Sequence, residues 1–198
     1  MKIDWLGHAS IRMLGSKIIY IDPWKIKNPV PADIVLITHG HYDHCSPEDI
    51  EKIRKENTIV MAPENCAAGL GARAVKPGDT IEIEGVIIKM VPAYNIGKQF
   101  HPRNSGWVGY VISIDGKTIY HAGDSDAIPE MEEIKTDIAF LPVGGTYTMN
   151  AREAAEIAGK MKPQLAVPIH YNSIVGSYKD AEDFKRYCGC KAEIWEAV

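Results

Sequence analysis

The sequence predicts a layered α/β domain, on three observations. Short, β-branched apolar runs alternate with helix-start signals, the order that builds βαβ units. Three of those runs each deliver a chemically loaded residue: His39 after residues 34–37, Asp124 after 117–120, and His170 after 164–169. The chain has 198 residues, enough for one domain (1–198) with a full core.

Taken in order, the first segment reads as β. Residues 3–6, 10–14 and 17–21 are apolar runs separated by Gly7 and by Gly15-Ser16, and a Gly-Ser pair between two such runs is a hairpin signal. The third run ends at Asp22-Pro23-Trp24, because proline cannot extend a ladder. His8 and Asp22 both stand at strand ends. His8 is expected to hydrogen-bond behind a ligand or to pack, rather than to ligate. Residues 34–37, Ile-Val-Leu-Ile, do not alternate and are expected to be buried on both faces.

Ser46-Pro47-Glu48-Asp49 then starts a helix that is expected to reach about Glu56, with serine as cap, proline in the first turn and acids against the dipole. Residues 58–61 form the next strand, in a parallel βαβ step with 34–37. A short helix over 63–70 is closed by glycines. After the turn Lys76-Pro77-Gly78-Asp79, residues 81–84 alternate as a half-exposed strand ahead of 86–91. Residues 92–106 are the longest irregular segment and carry Tyr94, Asn95, Lys98, His101 and Arg103. Long loops in compact domains are usually functional.

Residues 107–114 and 117–120 form a hairpin across Asp115-Gly116 that delivers His121-Ala122-Gly123-Asp124-Ser125. A buried strand over 137–141, a helix capped by Asn150 that runs to about Met161, and the strand 164–169 follow. The last of these delivers His170-Tyr171-Asn172. A helix over 180–187 and an edge strand over 193–195 complete the chain.

The densest chemistry is Thr38-His39-Gly40-His41-Tyr42-Asp43-His44. Three imidazoles and a carboxylate so close together exceed what one ion needs. They suit two adjacent divalent ions, His39 and His41 serving one, Asp43 and His44 the other. Imidazole with a little carboxylate favours Zn2+, with Mn2+, Ni2+ or Fe2+ as alternatives. Asp124, after a glycine that lets the backbone approach closely, is well suited to bridge two cations.

Composition narrows the partners. The formal charge is −4 with no basic run, which argues against a nucleic-acid footprint. No apolar stretch is long enough to span a membrane or to serve as a signal peptide. The four cysteines form no C-x-x-C pair and read as free thiols, so a cytoplasmic location is expected. Cys45, beside the histidine cluster, reads as a small packing residue. A small-molecule substrate is expected, and association into a homo-oligomer is left open.

T-H-G-H-Y-D-H, H-A-G-D-S and P-I-H-Y, in that order, resemble the metal motifs of the metallo-β-lactamase fold hydrolases. W-L-G-H-A-S, I-D-P-W, L-P-V-G-G-T-Y-T-M and H-Y-N resemble the branch that contains the L-ascorbate-6-phosphate lactonases. The resemblance runs from Met1 to about Tyr178. It implies an αβ/βα four-layer sandwich, two mixed sheets face to face with helices outside and the metals at one edge. It also implies that His39 and His41 bind a first metal, that Asp43, His44 and His170 bind a second, and that Asp124 bridges them. The family's first site expects a further histidine after a Pro-Ala pair, where this chain has Pro92-Ala93-Tyr94-Asn95. His101 is the favoured replacement, since Gly97 gives the loop freedom to place it. His121 precedes Asp124 by an odd number of residues and should face the other way.

The implied chemistry is hydrolysis. Two ions roughly 3.5–4 Å apart share a water, lower its pKa and polarise the group under attack. Asp43 or Asp124 holds or accepts a proton. Lys98, Arg103, Tyr147, Tyr171 and Asn172 adjoin the motifs as substrate contacts, and the two cations suit an anionic ester, lactone or phosphoester. Two alternatives are a nuclease or phosphodiesterase of the same fold and a non-hydrolytic metal-binding protein. The acidic balance weighs against the first. His41 weighs against a di-iron site of the second kind, because the family resemblance implies glutamate at that ligand position in such sites.

Overall fold

A computed structural model describes all 198 residues. Its first sheet takes the strands in chain order: β1 (Lys2–Gly7), β2 (Ser10–Leu14), β3 (Ile18–Ile21), β4 (Ile34–Leu36), β5 (Ile59–Pro63) and β6 (Arg73–Val75). β1 to β3 form an antiparallel meander, and β3 to β6 run parallel. Helices α1 (Pro47–Ile53) and α2 (Glu64–Leu70) make the crossovers on either side of β5.

The second sheet repeats that plan. β7 (Thr80–Ile83), β8 (Val86–Pro92), β9 (Val108–Ile114) and β10 (Lys117–His121) are antiparallel. β11 (Ile138–Pro142) and β12 (Leu165–Ile169) then continue parallel to β10. α3 (Ala151–Met161) connects them and packs against α4 (Tyr178–Tyr187).

The unalternating run on β4 shows why the chain folds in layers. Ile34 and Leu36 join the core between the sheets, whereas Val35 and Ile37 join a separate cluster with Ile50 and Ile53 of α1 and Leu70 of α2. Successive side chains of a strand point to opposite faces, so the four residues are buried alternately in two layers. The αβ/βα sandwich expected from the sequence is the fold observed.

Helix starts behave as their caps dictate. Ser46 accepts from Asp49 N at 3.3 Å, and Asn150 and Glu153 close a capping box at α3. Three differences from the sequence reading go beyond a shift of a residue or two. α1 stops at Ile53 rather than near Glu56, and the Ile53 carbonyl accepts from Ala32 N at 2.8 Å. β6 spans three residues, too few to display a period. Residues 193–195 are not a strand. Ala192 alone bridges Ala166, and Trp195 then turns inward against Phe140, with ring centroids 5.3 Å apart. The tail still bonds both sheets, through Ala166 N to Lys191 O at 2.9 Å, Glu193 N to Ala166 O at 3.1 Å and Val198 N to Trp5 O at 3.1 Å.

One buried ion pair joins the first two strands. Asp4 on β1 faces Arg12 on β2, and Arg12 Nη2 and Nε donate to Asp4 Oδ2 at 2.6 and 3.1 Å. Burial pushes the Asp4 carboxyl up, but Lys2 and Arg12 outweigh it and hold the group below the ordinary range. Asp4→Asn is therefore expected to cost roughly 2–4 kcal/mol at pH 7, because it leaves a buried guanidinium without its counter-charge. A group with a depressed folded-state pKa contributes its stability above the unfolded value. That contribution is lost as pH falls through the lowered one, so wild type and variant should converge only below the ordinary carboxylate range. Urea unfolding at several pH values checks this.

Candidate metal centre

The histidine loop begins where β4 gives out, and Asp22 anchors it. Thr38 N and Thr38 Oγ1 donate to Asp22 Oδ1 and Oδ2 at 2.8 and 2.6 Å, and His44 Nδ1 donates to Oδ2 at 2.7 Å. This chain of bonds sets two tautomers. Because the Thr38 hydroxyl gives its proton to Asp22, it must accept from His39 Nδ1, 2.9 Å away. His39 and His44 thereby present Nε2 to the centre.

The nitrogens gather in two groups. His39 Nε2 lies 3.1 Å from His41 Nδ1 and 3.4 Å from His101 Nε2. The second group is His8, Asp43, His44 and His170, with ligand atoms within 4.8 Å of one another. Asp124 stands between the groups. Its Oδ2 is 3.0 Å from His170 Nε2, 3.6 Å from His101 Nε2 and 3.9 Å from His39 Nε2, and its Oδ1 is 3.3 Å from His44 Nε2.

These atoms fit a cation better than they fit one another. Asp124 Oδ1, His44 Nε2 and His170 Nε2 are buried without a hydrogen-bond partner. Buried polar atoms are otherwise almost always paired, so unpaired ones aimed at a shared point need an explanation. A divalent ion accepting nitrogen and oxygen donors supplies one.

The electrostatics agree. Burial, reinforced by neighbouring imidazoles, holds His39 well below its ordinary pKa and pushes His101 down to about 4, which keeps both in the neutral, ligating form. Burial also opposes charge on His44, yet Asp124 and Asp22 overcome it and draw His44 well above its ordinary value. The field at His44 Nε2 thus favours positive charge. Asp124 is held well below the carboxylate range, against its own burial, by His170 and His44.

Asn95 and His101 share the place where the sequence left a choice. His101 Nδ1 donates to Asn95 Oδ1 at 3.1 Å, which turns Nε2 towards His39. The amide is itself fixed, since Asn95 Nδ2 donates to Tyr147 O at 2.9 Å and to Asp126 Oδ1 at 3.3 Å. Asn95 therefore stands behind His101. His8 plays a similar part for Asp43, with Nε2 2.9 Å from Oδ2. Both nitrogens of His121 are taken by backbone, Nε2 donating to Ala9 O and Nδ1 accepting from Gly123 N, so it faces away as its spacing implied.

His8, Asp22, His170 and Asn172 all have positive φ, between 47° and 59°. A left-handed backbone costs an L-residue roughly 1–2 kcal/mol, and such strain collects at functional sites. Here it turns the chain sharply near strand ends, where His8, Asp22 and His170 are buried and Asn172 stays exposed.

A recess of about 290 Å³ opens onto the centre. His41, Asp43, His101 and Asp124 form its floor, with Tyr42, Phe100, Tyr147 and Ile174 around them. Of the expected substrate contacts, only Tyr147 lies here. Tyr171 and Asn172 line a neighbouring cavity instead. Lys98 is turned away to Asp126 Oδ1 and Thr148 O, at 2.6 and 2.7 Å, and Arg103 pairs with Glu130 at 2.9 Å above the Tyr94 ring. Each cation meets a carboxylate closer to home, so neither lines the recess. Phe100 and Trp107, whose ring lies 5.0–5.2 Å from those of His39, His41 and His101, escaped the sequence reading. Aromatic residues in a loop carry no period to announce them.

Residues 2–170 match the family model of the beta-lactamase superfamily domain. The chain is 36% identical over 214 residues to a UPF0173 metal-dependent hydrolase of Thermococcus kodakarensis, covering 98% of this chain and 95% of that protein. A UPF0173 metal-dependent hydrolase of Thermoplasma acidophilum is 38% identical over 208 residues, covering 96% and 91%. Among solved structures, a Parabacteroides distasonis protein assigned as a metal-dependent hydrolase superposes with a TM-score of 0.88 at 34% identity, covering 99% of this chain and 93% of that one.

Proposed function

The chain belongs to the beta-lactamase superfamily, as a metal-dependent hydrolase, and from that premise we propose a binuclear enzyme acting on a small ester, lactone or phosphoester. The observation that carries the reading is Asp124, one carboxylate facing the imidazoles of two separate groups. His39, His41 and His101 are assigned to one ion, Asp43, His44 and His170 to the other, and Asp124 to both. Two divalent ions bound there, zinc foremost, would supply a hydroxide nucleophile at neutral pH and polarise the bond under attack.

The remaining work falls to the chain's own groups. Asp22, Thr38 and Asn95 fix which imidazole nitrogen is free, and such supporting bonds orient ligands and tune their basicity. Asp43, held from behind by His8 Nε2, and Asp124 are the groups placed to accept a proton at the floor of the recess. Phe100, Tyr147 and Ile174 give the recess a partly apolar rim. The small volume favours a metabolite over a polymer, and an L-ascorbate-6-phosphate-like lactone is among the compounds to try.

Elemental analysis after reconstitution with zinc, manganese or nickel should find two ions per chain. A screen of lactones, phosphodiesters and thioesters should then find hydrolysis that chelation abolishes. Failure to retain any metal overturns the proposal. Titration of apo-protein tests the ligand assignment: His101→Ala should remove one of two binding events. Asn95→Ala should keep both and weaken one by about 10–100-fold, the usual effect of losing an orienting partner. Unchanged titrations in both variants would remove these residues from the site.

A further inference from the structure

Beside the metal-facing recess lies a second cavity of about 390 Å³ that the hydrolytic reading leaves without a task. The two share a wall. His8 lines the second cavity and bonds Asp43 of the recess at 2.9 Å. Trp24 of one meets Tyr42 of the other, ring centroids 6.2 Å apart. The loop after His170 gives Asn172 and Ser173 to this cavity and Ile174 to the recess.

The walls are flat and aromatic. Trp5 stacks on Tyr171 at 5.1 Å and 24°, Tyr178 lies 6.4 Å beyond, and Trp24 stands across from them beside His8. Two exposed lysines, Lys25 and Lys27, stand at the cavity against one carboxylate, Glu196. Lys25 Nζ sits 4.0 Å over the Trp24 ring.

Behind this lining, two buried polar atoms have no partner within the protein: Tyr171 Oη and His8 Nδ1. Their residues are 2% and 3% exposed. Since Asp43 can only accept, His8 Nε2 carries the proton and Nδ1 is left as an acceptor. A ligand suited to this cavity offers a flat face to the aromatic rings and negative charge to the lysines, and would carry a donor for His8 Nδ1 and a hydrogen-bonding group for Tyr171 Oη just behind them.

We propose that this cavity binds a flat heteroaromatic ring bearing a hydrogen-bond donor and an anionic group, the end of the substrate that does not react. The substrate would straddle the His8–Asp43 wall, its ring among the tryptophans and its scissile bond in the recess. This rests on the hydrolase reading for its purpose but not for its binding.

Three of the four tryptophans, Trp5, Trp24 and Trp195, line the cavity, so tryptophan emission reports on its occupancy. Adenosine 5′-monophosphate is the probe, with adenosine and ribose 5-phosphate as partial ligands, on zinc-loaded and chelated protein in parallel. The nucleotide should quench saturably and equally in both preparations. Adenosine should bind about tenfold more weakly, and ribose 5-phosphate weaker still. Tyr171→Phe should lower nucleotide affinity about five- to tenfold, the size of one hydrogen bond, with thermal stability unchanged or raised. The double variant Lys25→Gln/Lys27→Gln should weaken the nucleotide and leave adenosine unchanged.

Absence of saturable quenching, equal affinity for ribose 5-phosphate, or unaltered nucleotide affinity in both variants overturns the proposal. Because the chelated protein is tested as well, the two readings fail separately. Binding without metal retention refutes the hydrolase and spares the cavity. A metal-loaded hydrolase that ignores the nucleotide refutes the cavity alone.

Discussion

Asp124→Ala is expected to release both metal ions and to lower kcat/KM by about a thousandfold or more. Several kcal/mol of charge stabilisation depend on the ions, and each 1.36 kcal/mol is about tenfold in rate. The size of the effect follows from position. Asp124 is 4% exposed, and its two oxygens lie 3.0–3.9 Å from the Nε2 atoms of His39, His44, His101 and His170. Asp43 reaches only the second group, and Asp22 touches His44 and, through Thr38, His39 only at their Nδ1 side. Removing His41 should leave one ion in place, whereas removing Asp124 should leave neither. Metal content per chain and steady-state rates on any active substrate check this. A variant that keeps two ions and a rate within tenfold of wild type would show that the carboxylate is not shared.

The second large effect is expected at a residue that touches no ion. Asp22 is fully buried, and its carboxylate receives Thr38 N, Thr38 Oγ1 and His44 Nδ1. Alanine there strands a buried amide and frees both the hydroxyl that orients His39 and the ring that carries the His44 nitrogen. Loss of a buried charged partner costs roughly 3–5 kcal/mol, and loss of a ligand's orienting bond about 10–100-fold in metal affinity. The two losses are separable. Urea unfolding in excess chelator reads the first alone, and competition with a chromophoric chelator reads the second. A variant with normal metal affinity but lowered stability would make Asp22 a packing residue only.

The ease of reading these parts in the sequence follows their physics. Residues 34–37 were legible as a doubly buried strand because burial on two faces removes alternation, and Ile34 and Val35 do enter different layers. Ser46 and Asn150 were legible because an orphaned helix N–H demands a side-chain acceptor nearby. Asp22 was visible only as a residue at a strand end, since its partner Thr38 lies sixteen residues away and no local period links them. Asn95 looked like a defect in a ligand pattern. Its role behind His101 depends on Asp126 and Tyr147, which only the folded loop brings near. Lys98 and Arg103 misled because charge is visible in a sequence and neutralisation is not. Asp126 and Glu130, which occupy them, lie nearly thirty residues downstream.

The tail that leaves α4 has a further consequence, for how copies of the chain behave towards one another. A sheet edge is a row of unsatisfied amides and carbonyls, and a second molecule can add to it as readily as the chain's own strands do. β12 and β1 are the edges of their sheets on the side where the tail runs. Its bonds to both sides of Ala166 and to the Trp5 carbonyl occupy groups that another strand would need. Trp195, seated on Phe140, pins the segment in place with apolar contact. On the far side, β6 is only three residues long, and β7 points Thr80 and Glu82 into solvent, which deters a partner by brevity and charge. The chain thus drapes a ribbon of its own tail across two of the four sheet margins and occupies groups that an added strand would need. It does so without lengthening either sheet by a full strand.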